Sequence, residues 1–209
     1  MHLTPPIRPQ EAINRLLAAL EPFATPVNAV PRKKLNWHYK GKQQLWLCKE
    51  GEISILRASD GLLMITVYEG HIFGVAEILQ PMRGHVLRAE TECSLSRIDA
   101  EEALRIFREQ NLWEDVTSLL AYHTAYLAYR DALVLQQRTY AVIRNHLMEM
   151  ILLPEDMRMR ISILDYIQDR THLSRSSILN VLSALKKGKY IQFIRGGYLQ
   201  HIESLPEKF

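Results

Sequence analysis

The fold of this 209-residue chain is decided by residues 170–202, which read RTHLSRSSILNVLSALKKGKYIQFIRGGYLQHI. The stretch contains six Arg or Lys residues and two His, and it has no Asp or Glu. Its first part has the apolar spacing of helices, and its last part alternates around Arg195-Gly196-Gly197, as a two-stranded hairpin does. A helix-turn-helix followed by such a wing, with an excess of cations, is typical of a DNA-binding domain.

The distribution of charge along the chain agrees with this interpretation. Residues 1–154 contain 17 basic and 17 acidic side chains, whereas residues 155–209 contain 9 basic and 6 acidic ones. The formal net charge of +3 therefore comes entirely from the C-terminal part. Because cations supply the attraction to phosphates, we expect this part to bind double-stranded DNA.

Two short helices are predicted inside the C-terminal part. Ser162 and Asp165 form a capping pair for the first, over 161–168, and Ser174 caps the second. In the second helix, apolar residues recur at helical spacing and turn inward, so Arg, Asn and Ser turn outward, where they can contact bases or phosphates. The predicted DNA contacts are Ser174, Arg175, Ser176, Ser177, Asn180, Lys186, Lys187 and Arg195.

The region before these helices reads as β structure. Residues 37–98 contain short apolar segments bounded by glycines, Asp60-Gly61 indicates a tight hairpin, and residues 85–95 alternate as one strand. Many short strands with no helix between them predict a small sandwich or barrel. Residues 1–36 are expected to form one helix and a loop that carries the basic run Arg32-Lys33-Lys34.

A long helix is predicted over 112–138, with apolar residues around most of its circumference. Its heptad seam consists of Trp113, Val116, Leu120, His123, Leu127, Arg130 and Val134. Heptad spacing indicates a pair of helices, so we expect these residues to form the interface of a homodimer, with His123 and Arg130 setting the register. The alternative is a helix that packs wholly within its own subunit.

Several classes of protein are disfavoured by the composition. Cys48 and Cys93 are too few for a disulfide framework or a four-thiolate metal site, and they suit a reducing compartment. The cation of Lys49 would lower the pKa of the Cys48 thiol if that thiol were exposed. Neither a targeting leader nor a membrane helix is recognisable, and no nucleophile elbow, metal-spaced His pair or phosphate loop is present. We expect a cytoplasmic protein without membrane, metal or cofactor, which is not an enzyme.

Three blocks of the sequence resemble the CRP/FNR superfamily of bacterial transcription regulators. They are 62–74, 83–99 with its Arg-x-x-x-x-Arg-Ala core, and 174–191, and the resemblance covers about residues 37–200. More closely, RTHLSRS at 170–176, ALKKG at 184–188 and Leu205-Pro206 resemble the enterobacterial IprA/YaiV-type proteins. That group is associated with repression of hydrogen peroxide resistance, so the resemblance implies a role in this stress response.

The resemblance implies an α+β fold in three parts. These are a cyclic-nucleotide-binding-like β-roll over 37–111, a dimerisation helix over 112–138 and a winged helix-turn-helix over 139–209. Arg175, Ser176 and Asn180 fall where the superfamily places base-reading side chains, although Ser176 replaces the usual carboxylate. A CRP-like regulator that acts by protein–protein contact without DNA is the alternative, and salt dependence distinguishes the two, because only phosphate contacts weaken steeply with salt.

The sensing pocket departs from the superfamily pattern. The members of the superfamily that bind cyclic nucleotides share two features. A Gly-Glu pair binds the ribose, and an Arg followed by a small hydroxyl residue binds the phosphate. Here Gly74 is followed by Val75 and Ala76, and Arg83 is followed by Gly84. A phosphate without these partners loses charge-assisted bonds. We therefore expect no cyclic-nucleotide binding; the effector stays unknown, with Arg83 as its one candidate residue.

Overall fold

The computed structural model describes residues 4–81, 84–134 and 139–207. The chain divides into two compact units, Thr4–Ala128 and the residues from Tyr129 onward. Together they contain a β-rich N-terminal region, a long helix and a C-terminal winged helix-turn-helix, which confirms the predicted α+β class and order of elements. In the described ranges, no helix is both long and apolar enough to cross a membrane.

The first unit begins with an amphipathic helix α1 (Gln10–Leu20), which buries Ile13, Leu16 and Leu20 and gives way to a 3-10 turn at Pro22. Nine strands and three helices follow. The strands are β1 (Thr25–Ala29), β2 (Lys34–Leu35), β3 (His38–Tyr39), β4 (Lys42–Glu50), β5 (Ile53–Arg57), β6 (Leu63–Val67), β7 (His71–Phe73), β8 (His85–Ala89) and β9 (Cys93–Asp99); the helices are α2 (Val75–Leu79), α3 (Ala100–Glu109) and α4 (Trp113–Val134).

The strands form two antiparallel sheets that pack face to face. One sheet has the order β1-β9-β4-β3 with β7 also paired to β4, and the other has the order β2-β8-β5-β6. Strand β4 is buried on both faces, because Trp46 and Cys48 lie in the core between the sheets while Leu45 and Leu47 pack against the helices. The core between the sheet and the helices contains side chains of α1, α3 and the first turns of α4.

Four details of the predicted β region are corrected, the first being that helix α2 lies between strands β7 and β8, where no helix was expected. Residues 22–36, expected to form a loop, contain strands β1 and β2, although Arg32, Lys33 and Lys34 are exposed as predicted. The alternating residues 85–95 form two strands in different sheets, because a turn at 90–92 divides them. Asp60-Gly61 does join the hairpin β5–β6, but the loop spans the four residues between Arg57 and Leu62, with the positive φ at Gly61.

The second unit contains the winged helix-turn-helix. Its elements are α5 (Thr139–Ile151), α6 (Glu155–Arg158), α7 (Ile163–Arg170), α8 (Arg175–Lys187), β10 (Ile191–Phe193) and β11 (Leu199–Ile202). The predicted caps are confirmed, since the hydroxyls of Ser162 and Ser174 accept the backbone N–H groups of Asp165 and Ser177. The core of this unit joins all three longer helices to the hairpin, with Ile143, Ile167 and Ile178 fully buried.

Candidate nucleic-acid interface

Helix α8 is fixed in the second unit by its apolar face. Ile178, Leu182 and Leu185 are buried and Val181 is half-buried, so the positions predicted to turn inward do so. The opposite side of the helix is turned to solvent. Seven of the eight predicted contact residues are exposed, and Ser177 is half-buried; the exposed ones are Ser174, Arg175, Ser176, Asn180, Lys186, Lys187 and Arg195.

The serines at the start of α8 form a small hydrogen-bonded group. The Ser174 hydroxyl accepts the Ser177 N–H at 3.1 Å and lies 3.0 Å from the Ser176 hydroxyl and 2.8 Å from the Ser177 hydroxyl. The hydroxyls of Ser174 and Ser177 are therefore engaged in capping. The first backbone N–H groups of a helix have no partner inside it, so those of α8 that the Ser174 hydroxyl does not accept remain available to an anion.

The basic residues of the motif differ in what they contact. Lys186 lies with its ammonium 4.2 Å from the centre of the Phe193 ring, and this cation–π contact holds it against strand β10. In the part of the chain that the structure describes, the side chains of Arg175, Lys187 and Arg195 make no such contact, and none of them has an ion pair or hydrogen bond. These three predicted contact residues are therefore available for a ligand.

The end of α8 is shaped by close packing. A side chain at Gly188 would meet the Tyr190 ring at 2.5 Å, so any larger residue there would require that ring to shift. The chain turns back at Lys189, whose φ of 61° is in the left-handed region. The wing follows, and its tip is tied to the start of α7 by the Ile163 N–H, which donates to the Gly197 carbonyl at 2.9 Å. Arg195 is thereby presented on a hairpin that is joined to the helical part of the domain.

One residue of the exposed face was missed by the sequence analysis. Leu179 lies one turn after Arg175 and one turn before Ser183, and it is 42% exposed. The signal was present in the sequence, because position 179 is i+4 from an Arg assigned to the outer face. Leu179 was not assigned to the outer face because it is apolar and stands among core residues in the sequence.

The predicted interface residues of α4 are mostly covered within the chain. Val116 is buried, and Trp113 and Leu120 pack against the same core. Arg130 is buried in the second unit and donates to the Arg170 carbonyl at 3.4 Å. Leu127, in contrast, is 45% exposed. The side chain of Val134 lies outside the described residues, so among the other six the apolar surface available to a partner is centred on Leu127.

The remaining seam residue, His123, is half-buried and belongs to a chain of polar contacts around the buried His71. Arg8 contacts Nδ1 of His71 at 3.2 Å, and Nε2 of His71 lies 3.0 Å from Nε2 of His123. Since guanidinium is only a donor, His71 accepts at Nδ1 and donates from Nε2, which leaves the proton of His123 on Nδ1. Burial holds the pKa of His71 well below its usual range, and it lowers the pKa of His123 to about 4.

The region of the expected effector pocket is apolar where the superfamily has charge. Val75, at the position of the ribose carboxylate, is buried in the core, and Gly84 is exposed. Arg83 lies outside the described residues. Both cysteines are buried, and burial raises the pKa of Cys48 to about 12, so the exposure that a lowered thiol pKa requires is not present. The described ranges contain no group of three or more His, Cys, Asp or Glu suited to a metal ion.

Comparison with known proteins adds three findings. Residues 139–207 match the family described as winged helix-turn-helix DNA binding. Over 161 residues, 77% of each chain, the sequence is 33% identical to the protein named inhibitor of hydrogen peroxide resistance from Salmonella typhimurium strain LT2. The structure matches the c-di-GMP-responsive global regulator CLP of Xanthomonas campestris with a TM-score of 0.73 and 15% identity, over 90% of this chain and 99% of that one.

A further match supports the assignment of the fold. A transcriptional regulator of the CRP family from Thermus thermophilus is 20% identical, with a TM-score of 0.57 over 80% of this chain and 88% of its own. At these sequence identities the two structural matches support only the assignment of the fold. The fold of the chain is thus that of CRP-type regulators, as the sequence blocks predicted.

Proposed function

The chain belongs to the family of the inhibitor of hydrogen peroxide resistance, and on this basis we propose that it is a DNA-binding transcription regulator that acts in hydrogen peroxide resistance. It functions in the cytoplasm, as a homodimer. The observation that carries the proposal is the outer face of α8, where Arg175, Asn180 and Lys187 are exposed within a stretch of 33 residues without a carboxylate. Such a face attracts phosphates along its whole length.

The two ends of α8 have different tasks. Arg175 and Asn180 are one and a half turns apart near the start of the helix, where Arg can bind guanine and Asn adenine through paired hydrogen bonds. The helix N-terminus itself binds a phosphate through its first N–H groups. Lys187 and Arg195, at the end of the helix and on the wing, contact the DNA backbone. The first pair therefore determines sequence, and the second pair supplies affinity for any sequence.

The dimer places two such helices on one DNA molecule. The exposed Leu127 is the apolar centre of the contact between two copies of α4. A two-fold axis of the protein requires a near-palindromic site with half-sites about 34 Å apart. The sensor-like unit binds no cyclic nucleotide, because the buried Val75 offers the ribose no hydrogen bond.

The test of this proposal is DNA selection followed by binding of variants. Duplexes selected from a random library by the full chain are titrated by fluorescence anisotropy. Arg175→Ala should weaken binding to the selected site by about 1–3 kcal/mol and relax the preference at one base pair per half-site. Lys187→Ala should weaken selected and random duplexes equally. Lys33→Ala, which removes an exposed cation of the other unit, is the control and should leave both affinities unchanged.

Salt dependence separates this function from regulation by protein contact alone. Lys187 and Arg195 of two subunits neutralise about four phosphates, so the logarithm of the affinity should fall with the logarithm of salt at a slope of about −4. Lys187→Ala should make this slope shallower by about two. If no duplex is enriched and binding does not depend on salt, the protein-contact alternative is correct instead.

A further inference from the structure

Leu179 is an exposed leucine in the middle of an otherwise polar helix face. It is 42% exposed, and its neighbours one turn away on the same face are Arg175, Ser176 and Ser183, all of them exposed. The core of the winged unit is complete without it, since Ile178, Leu182 and Leu185 fill the buried side of α8. Its exposed apolar surface is therefore available to a ligand.

The position of Leu179 is set by the residues on either side of it. Arg175 and Asn180 are the base-reading residues of the proposed function, and Leu179 lies between them on the surface of the helix. A helix in the major groove that brings these two side chains to base edges brings Leu179 to the same depth. The base pair that faces Leu179 therefore contacts a branched apolar side chain, which has no hydrogen-bond donor or acceptor.

The chemistry of the base edges leaves one partner for such a group. In the major groove, guanine, adenine and cytosine present hydrogen-bonding atoms, and thymine alone adds an apolar group, its C5-methyl. Leucine opposite the other bases would remove water from donors or acceptors and return no hydrogen bond. Opposite thymine it buries a methyl group against its own methyls.

The charges around Leu179 favour nucleic acid over an apolar protein partner. Leu179 borders a groove of about 710 Å³ between α8, the start of α7 and the wing. Three cations line this groove, Arg160, Arg175 and Lys186, against one carboxylate, Asp165, which is held by the Ser162 hydroxyl at 2.6 Å. Apolar side chains line the rest of the groove, and an apolar residue beside these cations suits a polyanion that carries an apolar group.

We propose that Leu179 is a specificity-determining residue that recognises the C5-methyl of one thymine in each half-site. This inference rests on the proposed function. It assigns a base to a side chain that has no hydrogen-bonding group. It predicts that the recognition sequence contains a thymine whose methyl group, rather than its hydrogen-bonding edge, is required.

The experiment replaces thymines of the selected site by deoxyuridine, which lacks only the methyl group. Thymines are replaced one symmetric pair at a time, and the full-length protein is titrated by fluorescence anisotropy. At one pair, loss of the methyl should weaken binding about fourfold per half-site, the equivalent of one buried methyl group. In Leu179→Ala, the duplexes with thymine and with deoxyuridine at that pair should bind equally. Leu179→Met, which keeps an apolar side chain, should retain the difference.

Two controls make the outcome specific. Arg175→Ala should weaken binding and still discriminate thymine from deoxyuridine, because its own contact is elsewhere. Deoxyuridine at the remaining thymines should affect the parent and Leu179→Ala alike. Absence of a methyl effect at every thymine, or an effect that persists in Leu179→Ala, overturns the inference and leaves the proposed function intact. A parent protein that selects no duplex overturns both.

Discussion

The hydrogen-bonded pair of His71 and His123 predicts that the first unit loses stability in mild acid. Both imidazoles are neutral in the folded unit, because burial lowers their pKa, that of His123 to about 4. In the unfolded chain both return to about 6.5. Between these values the unfolded state binds more protons than the folded state, so the free energy of unfolding rises with pH and is lost as the pH falls below 6.5.

The magnitude follows from the two pKa values of His123. At pH 5 its imidazole is almost fully protonated when unfolded and almost fully neutral when folded, which destabilises the unit by about 2 kcal/mol relative to pH 7.5. Below pH 4 the loss from this residue reaches about 3 kcal/mol. His71 adds a loss in the same direction. Arg8 acts against protonation of both, Glu77 acts in favour of protonating His123, and Glu69, His85 and Tyr122 complete the charged and titratable surroundings.

The assay is tryptophan fluorescence during urea unfolding at pH 7.5 and pH 5. All three tryptophans, Trp37, Trp46 and Trp113, lie in the first unit, so the signal reports on that unit and not on the winged domain. His123→Gln keeps an acceptor for His71 and removes the titrating group, so the difference between the two pH values should shrink by about 2 kcal/mol. His38→Gln, on strand β3, is the control and should keep the full difference. Equal stability of the parent at both pH values would refute the reasoning.

Three other predictions concern the helix caps, the dimer and the effector. Ser162→Ala and Ser174→Ala should each destabilise the winged unit by about 1 kcal/mol, as measured by amide hydrogen exchange, whereas the exposed Ser183→Ala should change it by less than about 0.5 kcal/mol; equal effects would contradict the caps. Leu127→Asp should produce monomers in sedimentation, and Ala125→Asp, on the opposite face of α4, should not; a monomeric parent would exclude the dimer. Calorimetry with cyclic AMP and cyclic GMP should show no saturable heat, and saturable binding of either would reverse the interpretation of the sensor-like unit.

The parts of the fold that depend on neighbouring residues were predictable from sequence. Ser162 and Ser174 cap their helices as expected, because a cap joins residues only three positions apart. The wing was predictable for the same reason, since alternation and two glycines specify a hairpin locally. The exposed residues of α8 followed from helical periodicity once its buried face was known.

The parts that depend on distant residues were not predictable. Strand β1 contains Pro26 and one buried residue, so its sequence resembles a loop; it becomes a strand because it pairs with β9, Thr25 opposite Arg97. The contact between His71 and His123 joins residues 52 positions apart, so no local pattern could predict that His123, assigned to the dimer seam, also contacts strand β7 of its own chain. In both cases the partner comes from the tertiary fold, which periodicity does not report.

The most direct test of the central claim, that α8 reads DNA sequence, is genome-wide mapping of bound DNA in cells that express the chain. The parent protein is compared with Arg175→Ala at equal abundance. The account predicts enriched fragments that share a near-palindromic motif with half-sites about 34 Å apart, and loss of that enrichment in Arg175→Ala. Fragments without a shared motif, or the same motif enriched equally by Arg175→Ala, would contradict it.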